Sequence, residues 1–129
     1  MRYLCLGFHD EKAWQALTER ERKLLVDETL AYGEFLRASG HLINDLALEP
    51  ATTATTLRFD REKPAVTDGP YAETKEQLGG IMVLEANDLT HAIRLVSKLP
   101  CMRAGGSLEI RPINEGLKIV GMETSTAAV

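Results

Sequence analysis

Apolar side chains gather in short runs along this chain, and segments rich in Gly, Pro, Asp and Thr separate the runs. Tyr3 to Phe8 reads as a first strand, with Leu4, Leu6 and Phe8 on one side and Tyr3, Cys5 and Gly7 on the other, so neither side is polar. A sheet wetted on one face alternates more cleanly, and both faces of this one are therefore expected to be covered. His9 to Trp14 reads as a polar connection. Thr18 and Glu21 then have the spacing of a capping box, which opens a helix running to about Ala38 and stopped by Gly40. Leu25, Tyr32 and Leu36 share its inner stripe, and Leu24, Ala31 and Phe35 widen it.

Leu42 to Leu48 is a further strand, ended by Pro50, and the β-branched run from Thr53 to Phe59 is another. Asp60 to Lys63 forms a hairpin tip and Pro64 to Thr67 returns from it, Pro64 suiting the start or edge of a strand. Gly80 to Glu85 carries the strongest strand pattern. Asp88 then caps a helix whose Leu89, Ala92, Ile93 and Val96 recur at helical spacing, and Pro100 lies beyond it. Ser107 to Ile113 alternates as a last strand with Leu108 and Ile110 inward. This order predicts an α+β, ferredoxin-like split βαβ fold over residues 1–113, with two helices on one face of an antiparallel sheet. Residues 114–129 form an extension holding one apolar run, Leu117 to Met122, and a loose tail. Two helices cover one face only. Sheet-to-sheet association into a homodimer, hiding about 800 Å² per subunit, would cover the other.

Composition narrows the function classes. The chain has 129 residues, 44% of them hydrophobic and only 5% aromatic, so it is one domain with a mostly aliphatic core. A net charge of -4 argues against a nucleic-acid-binding surface. No run is long enough to span a membrane and the start lacks the features of a secretory signal, which makes the cytoplasm the expected location. Cys5 and Cys101 read as unbridged structural thiols. His9, His41 and His91 have no metal-binding spacing, although His9 with Asp10, and His41 with Asp45, place an imidazole near a carboxylate in sequence. Neither a metal nor a cofactor is expected.

The densest polar chemistry lies in Val66-Thr67-Asp68-Gly69-Pro70-Tyr71-Ala72-Glu73-Thr74-Lys75-Glu76-Gln77-Leu78-Gly79-Gly80. Asp68-Gly69-Pro70 fixes a turn, and Asp68 either braces that turn or is aimed by it into a cleft. Glu73, Lys75 and Glu76 either keep the segment solvated or crowd one another, so that one carboxyl exchanges protons. Gly79 and Gly80 mark a bulge or a close backbone approach with room for a small ligand. On the catalytic reading Asp68 and Glu73 exchange the proton, and Arg58, Tyr71 and Lys75 bind substrate and steady developing negative charge beside Gly79 and Gly80.

This long segment resembles the signature of YCII-related proteins of the DGPF type, with Tyr71 in place of the fourth-letter phenylalanine. The resemblance extends through Tyr3 to Phe8, Trp14, Pro50 to Thr56, Asp88-Leu89 with Ala92, Gly105-Gly106-Ser107 and Glu109 to Pro112. It implies a ferredoxin-like fold assembled as a dimeric α+β barrel, and association with extracytoplasmic-function sigma factors. Two functions stay open. One is a homodimer that binds a small polar or aromatic metabolite and carries out cofactor-independent acid/base chemistry. The other is a noncatalytic dimeric module whose acidic loop braces the fold or contacts another protein.

Overall fold

The computed structural model describes residues 1–117. Strands β1 (Arg2–Asp10), β2 (Leu42–Ala47), β5 (Glu76–Glu85) and β6 (Ser107–Pro112) form one antiparallel sheet in the order β2-β5-β1-β6. β5 lies between β1 and β2, and β1 lies between β5 and β6, which is the interleaving of two split βαβ units. The hairpin strands β3 (Thr55–Asp60) and β4 (Lys63–Asp68) pair only with each other, in a separate two-stranded sheet.

The barrel expected from the resemblance is not formed. Closing a barrel requires the outermost strands to pair with a stagger. Here the outermost strands, β2 and β6, are held apart by β5 and β1, and the sheet is open at both edges. The α+β arrangement stands with an open sheet.

Between β1 and β2 run two helices, α1 (Glu11–Ala16) and α2 (Glu19–Ala38). The segment after His9 is thus helical rather than a plain polar connection. The Asp10 carboxylate accepts from the amides of Lys12 at 3.0 Å and Ala13 at 3.3 Å, satisfying donors that would otherwise be orphaned at the start of α1. At the start of α2, Glu21 N donates to Thr18 Oγ1 at 3.1 Å and Thr18 N donates to Glu21 Oε1 at 3.0 Å. That reciprocal pair holds the Glu21 carboxyl below the usual range, the bond from the Thr18 amide being the largest cause. The far end closes through Gly40 at φ 82°, with Gly40 N bonded to Arg37 O and His41 N to Leu36 O.

The core lies between the sheet and α2 and α3 (Leu89–Val96), where Cys5, Leu36, Leu42, Leu84, Val96 and Leu99 are buried. Tyr32 packs on this cluster and its hydroxyl donates to Leu95 O, tying α2 to α3. The inner face of α2 is narrower than the sequence pattern suggests. Leu24 and Phe35 are exposed, and the buried residues of the helix are Gly33 and Leu36, three apart on the face that meets the sheet. Thr53 likewise falls outside a strand. It belongs to a 3-10 turn (Ala51–Thr53) in which its amide and hydroxyl both bond to Pro50 O, so local bonding displaces the ladder until Thr55.

Leu117 is the last described residue, so the remainder of the run to Met122 and the tail lie outside the described residues. Among the described residues no helix is long and apolar enough to cross a membrane.

Both cysteines are free, Cys5 buried and Cys101 exposed. Burial pushes the Cys5 thiol up to about 11 from 9.0. A raised folded-state value stabilises the protonated form, so the unfolded chain releases this proton first as pH rises. The contribution is fully present below pH 9 and is lost between pH 9 and 11. With about 1.4 kcal/mol per unit, the stability gap between wild type and Cys5→Ala is expected to shrink by about 2–3 kcal/mol over that window. Urea titrations of both proteins from pH 8 to 11 measure it, and a constant gap would show that the thiol is not held neutral.

Candidate functional site

One end of the sheet brings together the last residues of β1 and the first residues of β5 and β6. The register there is broken: Gly7 lies opposite Gly80 and Phe8 opposite Leu78, leaving Gly79 as an extra residue in β5. This is a β-bulge, a device that re-aims side chains and often accompanies functional sites. Gly79 O accepts from Leu48 N at 2.9 Å, which anchors the bulge on its other side. At Gly80 a side chain would meet Leu46 O at 2.9 Å, so this glycine is needed for the close approach of β2 to β5.

Strand alternation sends Phe8 and Asp10 to one side of β1 and Gly7 and His9 to the other. On the Phe8 side lies an open recess of about 440 Å³ lined by Phe8, Thr74, Lys75, Glu76, Ser107, Leu108 and Glu109. Phe8 supplies the apolar wall, whereas the Leu108 side chain lies beside Gly7 on the core face. Ser107 Oγ donates to Glu76 Oε1 at 3.0 Å, joining β6 to β5 and orienting the carboxylate. Lys75 Nζ stands 3.9 Å from Asp10 Oδ2, the carboxylate that caps α1 through its other oxygen. Lys75 itself is 86% exposed, so it remains available to an anion. The recess therefore offers a flat apolar wall, an exposed cation and an oriented carboxylate within one hollow. On the opposite side His9 lies over Gly79, the closest approach being between its Nε2 and the space a side chain at Gly79 would fill.

The residues singled out in the sequence divide between two places. Lys75, Gly79 and Gly80 belong to the sheet end just described. Asp68 ends β4 at the foot of the hairpin, opposite Thr55, and is exposed. Its turn is held by Gly69 N bonded to Ala54 O at 2.8 Å and by the Thr56 hydroxyl on Gly69 O at 2.8 Å, with Gly69 at φ 108°. Arg58 donates to Tyr71 O at 3.1 Å and its guanidinium lies 5.4 Å from the centroid of the Tyr71 ring, so these two residues engage each other. Glu73 is exposed one residue before Thr74 of the recess wall.

Phe8, Ser107 and Glu109 were not legible as site residues, because only the antiparallel pairing of β6 with β1 carries them to Glu76. His9 and Asp10 were visible as a pair in sequence, and the strand separates them onto two faces. His41 meets the edge of His91 at 5.0 Å between ring centroids, while Asp45 pairs with Arg37 at 2.8 Å. Among the described residues no three His, Cys, Asp or Glu side chains gather in a cluster able to hold a metal. A second hollow, of about 580 Å³ between α3 and β6, is lined by apolar groups such as Leu89, Ile93, Met102 and Ile110, with Ser97 as its polar member. It lacks the titratable groups of the first.

An open antiparallel sheet with helices on one face, and a polar recess at the end where three strands meet, defines a small α+β protein with a hollow of small-molecule size. The chain belongs to the YCII-related domain family, which matches residues 1–116. It is 32% identical over 114 residues to an uncharacterised protein of Rhizobium meliloti (strain 1021), covering 88% of this chain and 92% of that one. Its fold is similar to that of the 5-chloro-2-hydroxyhydroquinone dehydrochlorinase of Burkholderia phenoliruptrix AC1100, solved in complex with 2,5-dihydroxybenzoquinone. That likeness has a TM-score of 0.54 and 18% identity, over 88% of this chain and 94% of the other.

Proposed function

We propose that this protein binds a small metabolite with a flat ring and acidic hydroxyl or carboxyl groups at the sheet end, and moves a proton on it. The recess carries this reading: Phe8 suits the ring, Lys75 steadies an anionic oxygen, and Glu76, oriented by Ser107, exchanges the proton. Asp10 and Glu109 add polarity at the margin. The dehydrochlorinase of similar fold supports the choice of ligand class, since its structure holds a hydroxylated quinone.

2,5-Dihydroxybenzoquinone is accordingly the first probe. Exchange of its ring hydrogens in deuterated water tests the chemistry without an oxidant or a second substrate. Glu76 delivers a deuteron to a ring carbon, the electrons of the enolate forming the new bond, and the carboxylate then removes the original proton from that carbon. Exchange accelerated by the protein and weakened by Glu76→Gln supports this assignment. Exchange at the rate of the probe alone would remove it.

The protein acts as a homodimer on this reading. Leu4, Leu6, Ile81 and Val83 alternate onto the face of the sheet away from the core and are only half-buried, and Leu46 beside them is 55% exposed. On the hairpin, Leu57 opposes Val66 and Phe59 opposes Pro64, giving one apolar side on which Leu57, Phe59 and Val66 are all exposed. A lone two-stranded hairpin is only marginally stable, and a second copy would cover both surfaces at once. Sedimentation equilibrium at micromolar protein is expected to give twice the chain mass, and Leu6→Asp with Ile81→Asp to give the single chain. A single-chain mass for the wild type would overturn the dimer.

A further inference from the structure

We infer that Gly79 is a positioning residue whose missing side chain seats the His9 imidazole, so that the bulge in β5 exists to hold that ring. This goes beyond the reading of the recess as the ligand site, because His9 and Gly79 meet at the same sheet end on the face opposite the recess.

Three observations carry the inference. First, Gly79 is the unpaired residue of the bulge, inserted between Leu78 opposite Phe8 and Gly80 opposite Gly7. Second, its backbone does not require glycine. The described glycines at positive φ are Gly40, Gly69 and Gly105, and Gly79 is not among them. Third, the nearest three atoms that a Cβ at Gly79 would meet all belong to His9: Nε2 at 2.7 Å, Cδ2 at 2.9 Å and Cε1 at 3.3 Å. These are the outer edge of the ring. A methyl group at 79 would therefore displace the imidazole, the far end of a rotatable side chain, and leave the strand in place.

Gly80 supplies the contrast. Its Cβ would meet a backbone oxygen, Leu46 O at 2.9 Å, which cannot move without parting β2 from β5. Adjacent glycines thus have separate tasks, the second serving the sheet and the first serving a histidine. A bulge is a costly interruption of a ladder, and here it coincides with a titratable ring that a regular β5 residue would displace.

The experiment uses the full chain labelled with 15N-histidine, in the wild type, Gly79→Ala, Gly80→Ala and His9→Ala/Gly79→Ala. Imidazole signals are compared at one pH, and the rate of ring carbethoxylation by diethyl pyrocarbonate is measured, with His41 and His91 as internal references. In Gly79→Ala the His9 imidazole signals are expected to move, and its modification rate to change at least threefold. His41 and His91 should stay as they are. Gly80→Ala should instead lower stability. If Gly79→Ala does not fold, the double variant decides the matter, since removing the His9 ring should restore folding. Unchanged His9 behaviour in a folded Gly79→Ala protein, or failure of the double variant to fold where the single one fails, overturns the proposal. A probe that does not bind the wild type would count against the sheet-end site and leave the histidine result intact, so the two failures are distinguishable.

Discussion

Glu76→Gln is expected to slow protein-promoted exchange of 2,5-dihydroxybenzoquinone ring hydrogens by about 10²- to 10⁴-fold, the usual range for loss of a general acid or base. The amide keeps the size of the carboxyl and its oxygen still accepts from Ser107, so the β5–β6 link at 3.0 Å survives and only the proton-exchanging capacity goes. Binding of the probe should therefore change little. Lys75→Met should do the reverse, weakening binding of the anionic probe more than it slows turnover of the bound form, because it removes a charge that interacts with the ring oxygens before and during transfer. Asp68→Asn and Glu73→Gln complete the comparison. Asp68 stands at the foot of the hairpin and Glu73 is exposed beside the recess wall, so both variants should remain close to wild type. A large loss with either of them and none with Glu76→Gln would return the chemistry to the acidic turn.

Leu84→Ala should destabilise the fold by about 2–5 kcal/mol, and Leu36→Ala by a similar amount. Both side chains are 0% exposed and belong to the same cluster, Leu84 from the central strand β5 and Leu36 from α2. Each truncation leaves a cavity that the neighbouring strand and helix cannot close, because their backbones are fixed by ladder and helix hydrogen bonds. Since folded domains hold only about 5–15 kcal/mol in reserve, either change should shift the urea midpoint strongly, and combining them should leave the chain largely unfolded at 37 °C. Phe35→Ala is the control. Despite its size, Phe35 is 61% exposed, and its loss should cost far less. A loss below about 1 kcal/mol for Leu84→Ala would mean that the core is not the one described.

The sequence made the fold legible where one residue type had one physical use. Thr18 and Glu21 announced the start of α2, Gly40 its end, and the Tyr3–Phe8 and Gly80–Glu85 runs the two central strands. It was silent where tertiary packing chose between options. Phe35 fits a helical stripe as well as Leu36 does, and only the packed helix shows Leu36 inward with Gly33 and Phe35 outward. Asp10 was legible as a carboxylate near a histidine, yet its bonds to Lys12 and Ala13 make it first a helix cap. The barrel belonged to the resemblance, and the strand order β2-β5-β1-β6 replaces it with an open sheet.

The candidate site was half legible for a related reason. Lys75 directly precedes β5, and Glu76, Gly79 and Gly80 belong to it, so one stretch revealed them together. Phe8 and Ser107 lie about a hundred residues apart in the chain and become neighbours only through the pairing of β1 with β6. Asp68, Arg58 and Tyr71 share that stretch or its hairpin partner, but β4 ends at Asp68 and the chain passes to a different sheet before reaching Glu76. Nearness in sequence thus overstated their nearness to the recess.

Backbone amide shift mapping on 15N-labelled protein, with the hydroxyquinone added in steps, tests the central claim most directly. Saturable shifts concentrated at Phe8, His9, Thr74 to Glu76 and Ser107 to Glu109, and abolished by filling the recess with Ser107→Trp, are the predicted result. Shifts confined to the hairpin around Arg58, Asp68 and Tyr71, or to the apolar hollow beside α3, would contradict it.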